Sequence, residues 1–310
     1  MSKHVPPEIE ADLAKARRLA WWTLGWMASI VFVMWLVMGS SQAMKTAFIE
    51  DLLSMVPAIV LLIAMRFERR EPTRLFTFGF DRMHSLAFLV SAVALAIMGA
   101  TLLFEAVHTL IKAEHVTVPP VELFGQHIWL GWLMIAALLY SVVPPFILGR
   151  MKLPVAKRLH DEVLYTDAMM QKADWMTGLA GVAGILGIGF GLWWADALAA
   201  GIISLSILRD GITALRIASA ELADGTPRAL GKADIAPDAA ALIDALEARW
   251  PGAEVRVRES GRYLLAQVRG AAGDFGGHAI DLKALWPGDE ARSWRFAELA
   301  FVPPGHDEER

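Results

Sequence analysis

The hydrophobic positions of this chain fall into six long runs rather than an alternating or one-sided pattern. They lie at about Leu19–Met38, Ala47–Met65, Met83–Ile111, Ile128–Leu148, Leu164–Leu192 and Ala195–Leu215. A helix needs roughly 20 such residues to cross a bilayer, so the pattern predicts six membrane helices. The fifth run differs from the others. It begins polar, with Asp167, Gln171, Lys172 and Asp174, and from Trp175 to Trp194 only Thr177 is polar. Gly178, Gly181, Gly184 and Gly187 recur every three residues, and small residues at such spacing let membrane helices approach closely. This predicts an interior helix carrying a carboxylate at membrane depth, where an ionisable group is costly and marks function.

After about Ala220 the pattern becomes that of a soluble domain. Pro237–Arg249 places Ala241, Leu242, Ala245 and Leu246 at helical spacing and ends at Trp250-Pro251-Gly252. Ala253–Glu259 alternates as a strand, Ser260-Gly261 signals a turn, and Arg262–Arg269 reads as a second strand. A short helix at Asp281–Trp286 and a third strand at Arg295–Val302 complete the order. The expected fold is a membrane all-α six-helix bundle plus a small C-terminal α+β (ferredoxin-like, α-β-β-α-β) cytosolic domain. Its divisions are an N-terminal arm (1–18), the membrane domain (19–219), an α+β dimerisation domain (220–303) and a disordered charged tail (304–310).

Composition agrees. Of 310 residues 55% are hydrophobic and 20% charged, and mean hydropathy is +0.44, values of an integral membrane protein. There is no cysteine, so no disulfide framework or thiolate metal site. Net charge is −4 with no basic face, which argues against nucleic acid. The first 18 residues lack the apolar core of a signal peptide. Basic residues crowd alternate connections: Lys15, Arg17 and Arg18; Arg66, Arg69, Arg70, Arg74 and Arg82; Arg150, Lys152, Lys157 and Arg158. The opposite loops hold only Lys45 and Lys112. The positive-inside rule then puts both termini in the cytoplasm. Trp21, Trp22, Trp129, Trp193 and Trp194 sit at segment ends as interface anchors. No nucleophile-elbow, zincin or phosphate-loop motif is present, so the expectation is not an enzyme.

Several local stretches carry a resemblance. Phe78-Gly79-Phe80-Asp81-Arg82 with Ser85-Leu86 resembles the F-G-[YH]-G-[RK]-x-E-x-L stretch of the cation diffusion facilitator family, with Asp81 at the second Gly and His84 at the Glu position. Glu105-Ala106-Val107 resembles that family's Y-E-A. Trp194-Ala195-Asp196-Ala197-Leu198 resembles its x-A-D-[AP], and Trp250-Pro251-Gly252 with Arg256-x-Arg258-x-Ser260-Gly261 its P-G-V…R-x-R-x-S-G. The resemblance covers nearly the whole chain. It implies a homodimeric divalent-metal/proton antiporter in a bacterial-type inner membrane, whose partners are the cation, protons and the bilayer.

The family's transport site has two acids four apart on span two and His-x-x-x-Asp on span five. Positions i and i+4 share a helix face, and two such faces supply a four-ligand, Zn²⁺-type site. Here span two matches at Asp51 and Met55, or, slipped by one residue, at Glu50 and Ser54. Span five matches at Met170 and Asp174. One carboxylate remains on each helix and the histidine is absent. Three readings follow. The first is a carrier with altered selectivity, using Asp51, Asp174, Met55 and Met170 with help from Gln171, Glu50 or Asp167. Its cargo is a divalent transition metal or, given thioethers, Cu(I). The second is a non-transporting homologue acting as a dimer partner or regulator. In the third, Met55 and Met170 are packing residues.

Other polar residues receive plainer readings. His84 is expected to be solvated at the interface, Glu68 and Glu71 solvated in a basic loop, and Lys172 interfacial. Glu105 and His108 form a hydrogen-bonded pair, Asp161 with His160 caps span five, and Asp210 forms an interfacial ion pair beside Arg209. The tail has only His278 and His306, too few for a metal site, and its expected role is dimerisation.

Overall fold

A computed structural model describes residues 5–37, 42–112, 120–123, 126–189, 192, 194–271 and 280–303. Six long helices dominate it: α1 (Pro7–Val37), α2 (Gln42–Glu68), α3 (Arg82–Lys112), α4 (Leu130–Leu159), α5 (Glu162–Gly189) and α6 (Ala195–Leu222). A two-stranded antiparallel ribbon, β1 (Pro120–Leu123) and β2 (Gln126–Trp129), precedes α4. Among the described residues three stretches are long and apolar enough to cross a membrane: Phe48–Glu68, Arg82–Lys112 and Ala197–Leu222. Their outer faces carry rows of exposed aliphatic side chains, such as Ile59 and Ile63 on α2, Val90, Val93 and Ile97 on α3, and Ile202 and Leu205 on α6. Apolar surface on this scale belongs against lipid.

The helices converge at the end of the bundle that bears the C-terminal domain. There one apolar cluster gathers Ala16 and Leu19 of α1, Ala58 and Leu61 of α2, Phe88 of α3, Leu159 of α4, Leu164 of α5 and Ile217 of α6. The tightest crossing pairs α3 with α6. A Cβ added at Gly99 would stand 2.5 Å from the Leu208 amide nitrogen, and one at Gly211 would stand 2.6 Å from the Ala96 Cα. The two backbones touch, and only glycine fits. The glycine stripe of α5 plays a looser part: Gly178 and Gly181 receive the side chains of Val142 and Leu138 from α4.

The C-terminal domain runs α7 (Pro237–Arg249), β3 (Glu254–Ser260), β4 (Tyr263–Arg269), a 3₁₀ helix (Glu290–Arg295) and β5 (Phe296–Val302). β3 pairs antiparallel with β4, and β5 lies parallel to β4 on its other edge. Leu242 and Leu246 of α7 pack on Val255, Val257, Leu264 and Phe296. The expected second α-helix is not found at Asp281–Trp286. That stretch forms turns, with the Asp281 carbonyl accepting from Ala284 N, and the helical element before β5 is the 3₁₀ helix. His115, His278 and His306 lie outside the described residues.

Replacing Gly211 by Val forces backbone against backbone and should lower stability by about 1–3 kcal/mol. Gly25→Ala, where nothing lies within 4 Å, should leave stability unchanged or raise it by up to about 1 kcal/mol. Thermal unfolding of the two detergent-solubilised variants checks the contrast.

Candidate functional site

α2 and α5 meet through polar side chains. Ser54 Oγ, fully buried, donates to Asp174 Oδ1 at 2.7 Å. Met98 Sδ of α3 lies 4.0 Å from the same hydroxyl. Gln171, one turn before Asp174 and also fully buried, reaches Asp174 Oδ2 from Nε2 at 3.5 Å. The residue of α2 that meets Asp174 is therefore Ser54, from the slipped register, and not Met55. Glu50 shares the Ser54 face one turn away. It is half-buried and within electrostatic reach of Asp174, Asp51 and Glu105. Asp51 is half-buried and acts electrostatically on Asp174.

The two methionines occupy different settings. Met170 is fully buried in an apolar cluster with Ala94, Leu95 and Met98 of α3 and Ile207 of α6. Met55 is half-buried. Among the described residues no three His, Asp or Glu side chains converge closely enough to hold a metal ion. Pro57 adds a feature that a reading of side chains alone passes over. It has no N–H to give the Leu53 carbonyl, so that oxygen is released from the helix ladder beside Ser54.

A second polar assembly lies where the C-terminal domain meets the helices. The β3–β4 turn inserts Arg262, 2% exposed, between Asp161 and Glu68. Its Nη2 is 2.8 Å from Asp161 Oδ2, and Nη1 bonds Glu68 Oε2. The other Asp161 oxygen accepts from His84 Nε2 at 3.0 Å and from the Leu164 amide at 2.9 Å, which caps α5. Gly261, at φ +62°, permits the turn: a Cβ there would lie 2.6 Å from the Asp81 carbonyl oxygen. Its amide donates to Ser85 Oγ, which donates to Glu221 on α6 at 2.5 Å. Arg82 and Arg258 both bond Asp224. Burial pushes the Asp161 carboxyl up, but His84 and Arg262 outweigh it and hold it well below the usual carboxylate range. Burial, then the charge of Arg295, lowers His160 to about 3, so it is neutral near pH 7.

Several expectations change here. His84 is buried and bonded to Asp161 rather than solvated. Glu68 anchors Arg262 rather than facing water. Lys172 and Asp210 line one small cavity between α5 and α6, with Ser206 and Met176. His108 stacks on Phe104, ring centroids 5.8 Å apart, and no hydrogen bond joins it to Glu105 among the described residues. The sequence offered Ser54 as one of two registers on α2 and gave no docking role to Arg262, which directly follows the Ser260-Gly261 turn signal.

The structure is a bundle of long helices with a half-buried carboxylate between two of them, joined to a small sheet domain. Residues 19–223 match the cation efflux transmembrane domain, and the chain belongs to the cation efflux, or cation diffusion facilitator, family. It is 25% identical over 234 residues to a probable cation efflux system protein of Mycobacterium tuberculosis, covering 73% of this chain and 66% of that protein. It is 21% identical over 185 residues to the manganese efflux system protein MneS of Bacillus subtilis, covering 60% of each. A probable proton-coupled zinc antiporter of Homo sapiens, SLC30A4, is 31% identical over 111 residues, 34% of this chain and 26% of that protein. The chain thus spans about two thirds or less of these relatives' lengths.

Replacing Arg262 by Met leaves Asp161 buried without its guanidinium partner, and stability should fall by about 3–5 kcal/mol. The acid limb of the stability profile has a defined sign. A depressed folded-state pKa contributes stability above the unfolded value, about 3.9, that is lost as pH falls below it. Wild type should lose this contribution between about pH 5 and strong acid, and Asp161→Asn should flatten that slope, as read by unfolding midpoints across pH.

Proposed function

We propose that the protein is a cation efflux carrier whose cargo binds Asp174 at the α2–α5 junction. The observation that carries this reading is the Ser54–Asp174 hydrogen bond at 2.7 Å. It fixes a carboxylate between two helices of a transport-family bundle, at a depth where an acid without function is selected against. Glu50 or Asp51 of α2 supplies the second carboxylate, Gln171 holds Asp174 through its Nε2, and the Leu53 carbonyl offers a further oxygen. Met170, enclosed by apolar side chains, serves packing, and Met98 brings a thioether to 4.0 Å from the Ser54 hydroxyl.

An oxygen-rich set suits a hard or borderline divalent cation better than Cu(I). The named activities of the relatives, manganese efflux and proton-coupled zinc antiport, support a divalent transition metal with proton exchange. Six spans, cytoplasmic termini in a bacterial-type inner membrane and a homodimer formed through the cytosolic α+β domain complete the proposal. The carboxylates of α2 and α5 must draw together around the ion, because no three-residue ligand set is assembled among the described residues. That same observation favours a second reading, a non-transporting homologue serving as a dimer partner or regulator.

Flux of Mn²⁺ and Zn²⁺ into proteoliposomes, followed with an internal pH dye, separates the two. Wild type should show saturable flux. Asp174→Ala should abolish it, and Ser54→Ala should lower it by roughly tenfold to 150-fold, the loss of one hydrogen bond to a charged group of about 1.5–3 kcal/mol. No flux of either ion from folded wild-type protein would establish the non-transporting reading.

A further inference from the structure

Lys152 enters the α4–α5 contact with its ammonium nitrogen 2.7 Å from Asp167 Oδ2, and both side chains are sealed from solvent. Asp167 begins the stripe of α5 that continues through Gln171 to Asp174 at i+4 and i+7. Gly149 on α4 makes the approach possible: a Cβ there would lie 3.3 Å from Gln171 Cβ. Gln171 is fully buried, and its Oε1 finds no hydrogen-bond partner among the described residues. Lys152 also acts electrostatically on Asp174.

An enclosed ion pair gives a fold no more stability than a well-packed apolar pair of the same volume, because both charges must be desolvated. The Ser54–Asp174 site makes no direct use of Lys152 or Asp167. What the pair does is place a cation on a carboxylate, on the same helix face as Asp174. A lysine ammonium is a compact point charge, similar in reach to a small bound ion.

We infer that Asp167, with the free carbonyl of Gln171, is a second cation-binding position on the α5 stripe, filled by the chain's own Lys152. Lys152 is thus a tethered ion that limits the stripe to one external cation, and it determines cargo stoichiometry. The inference rests on Asp174 being the cargo position. Seven helical residues separate the two carboxylates by about 10 Å. At that distance, with an effective dielectric near 20, unit charges repel enough to change binding roughly tenfold. Two positions on one stripe therefore influence each other without excluding joint occupancy. The vacated position, a carboxylate and an amide oxygen, would take a hard divalent ion such as Mn²⁺.

The test counts Mn²⁺ bound per full-length chain in detergent, from the electron paramagnetic resonance signal of unbound Mn²⁺. Lys152→Met and Lys152→Gln should each bind one ion more than wild type, and adding Asp167→Asn should remove the extra ion. Lys152→Arg, which keeps the tethered charge, should bind as wild type does. The two neutral variants are used together so that the folded one decides if the other fails to fold. No extra ion in the folded variant, or an extra ion that survives Asp167→Asn, overturns the inference. A wild type that binds no ion, or an Asp174→Asn variant that binds as many as wild type, strikes at the cargo site instead. The count gained on removing Lys152 is read separately from it.

Discussion

The Asp161 carboxylate is the junction on which much of the rest depends. One oxygen caps α5 through the Leu164 amide and receives His84 from α3; the other receives Arg262 from the C-terminal domain. A buried carboxylate needs this many partners to remain charged away from water. The requirement fixes the start of α5 against α3 and against the sheet domain at once. Because α5 is a continuous helix, fixing its start also sets the rotation of the face bearing Asp167, Gln171 and Asp174. The β3–β4 turn is therefore part of the bundle's packing, with Tyr263 and Trp294 joining the helices' own apolar cluster.

Above that junction the helices are tied unequally. α3 and α6 meet backbone to backbone at Gly99 and Gly211, a contact that tolerates no side chain. Among the described residues α2 and α5 are joined by one side-chain hydrogen bond, from Ser54 to Asp174, which on the proposed function an arriving cation would compete for. A carrier needs such a division, between a pair that holds its packing and a junction whose interactions cargo can replace. The turn at Ser260–Tyr263 touches both sides, through Ser85 and Glu221 on one and Asp161 and Glu68 on the other.

Much of this was legible in the sequence. Run length marked the long helices, three of which are long and apolar enough to cross a membrane among the described residues, and composition marked the tail as a separate kind of structure. The α-β-β order of the tail followed from spacing at 3.6 and 2, and the strand after it was also visible. The weak part was the second tail helix, where turns and a 3₁₀ segment serve instead. At the site, Asp174 stood out as an acid beside a long apolar run. Its partner was harder to read, because a one-residue shift on a helix rotates the presented side chain by about 100°, exchanging Met55 for Ser54. Lys152 and Arg262 were less legible still. Neither a lysine in a basic connection nor an arginine opening a strand shows in sequence which carboxylate it meets, and only the opposing helix or turn reveals it. His84 and Glu68 were misplaced for the same reason.

The most direct test is the position of the ion itself. Crystals of the full chain grown with Mn²⁺ would show it as an anomalous-scattering peak. The peak is expected about 2.1–2.6 Å from an Asp174 carboxylate oxygen, with Glu50 or Asp51 drawn in and the Ser54 hydroxyl displaced from Asp174 or shared with the ion. A peak elsewhere in a folded protein, with the Ser54–Asp174 hydrogen bond intact, would contradict it.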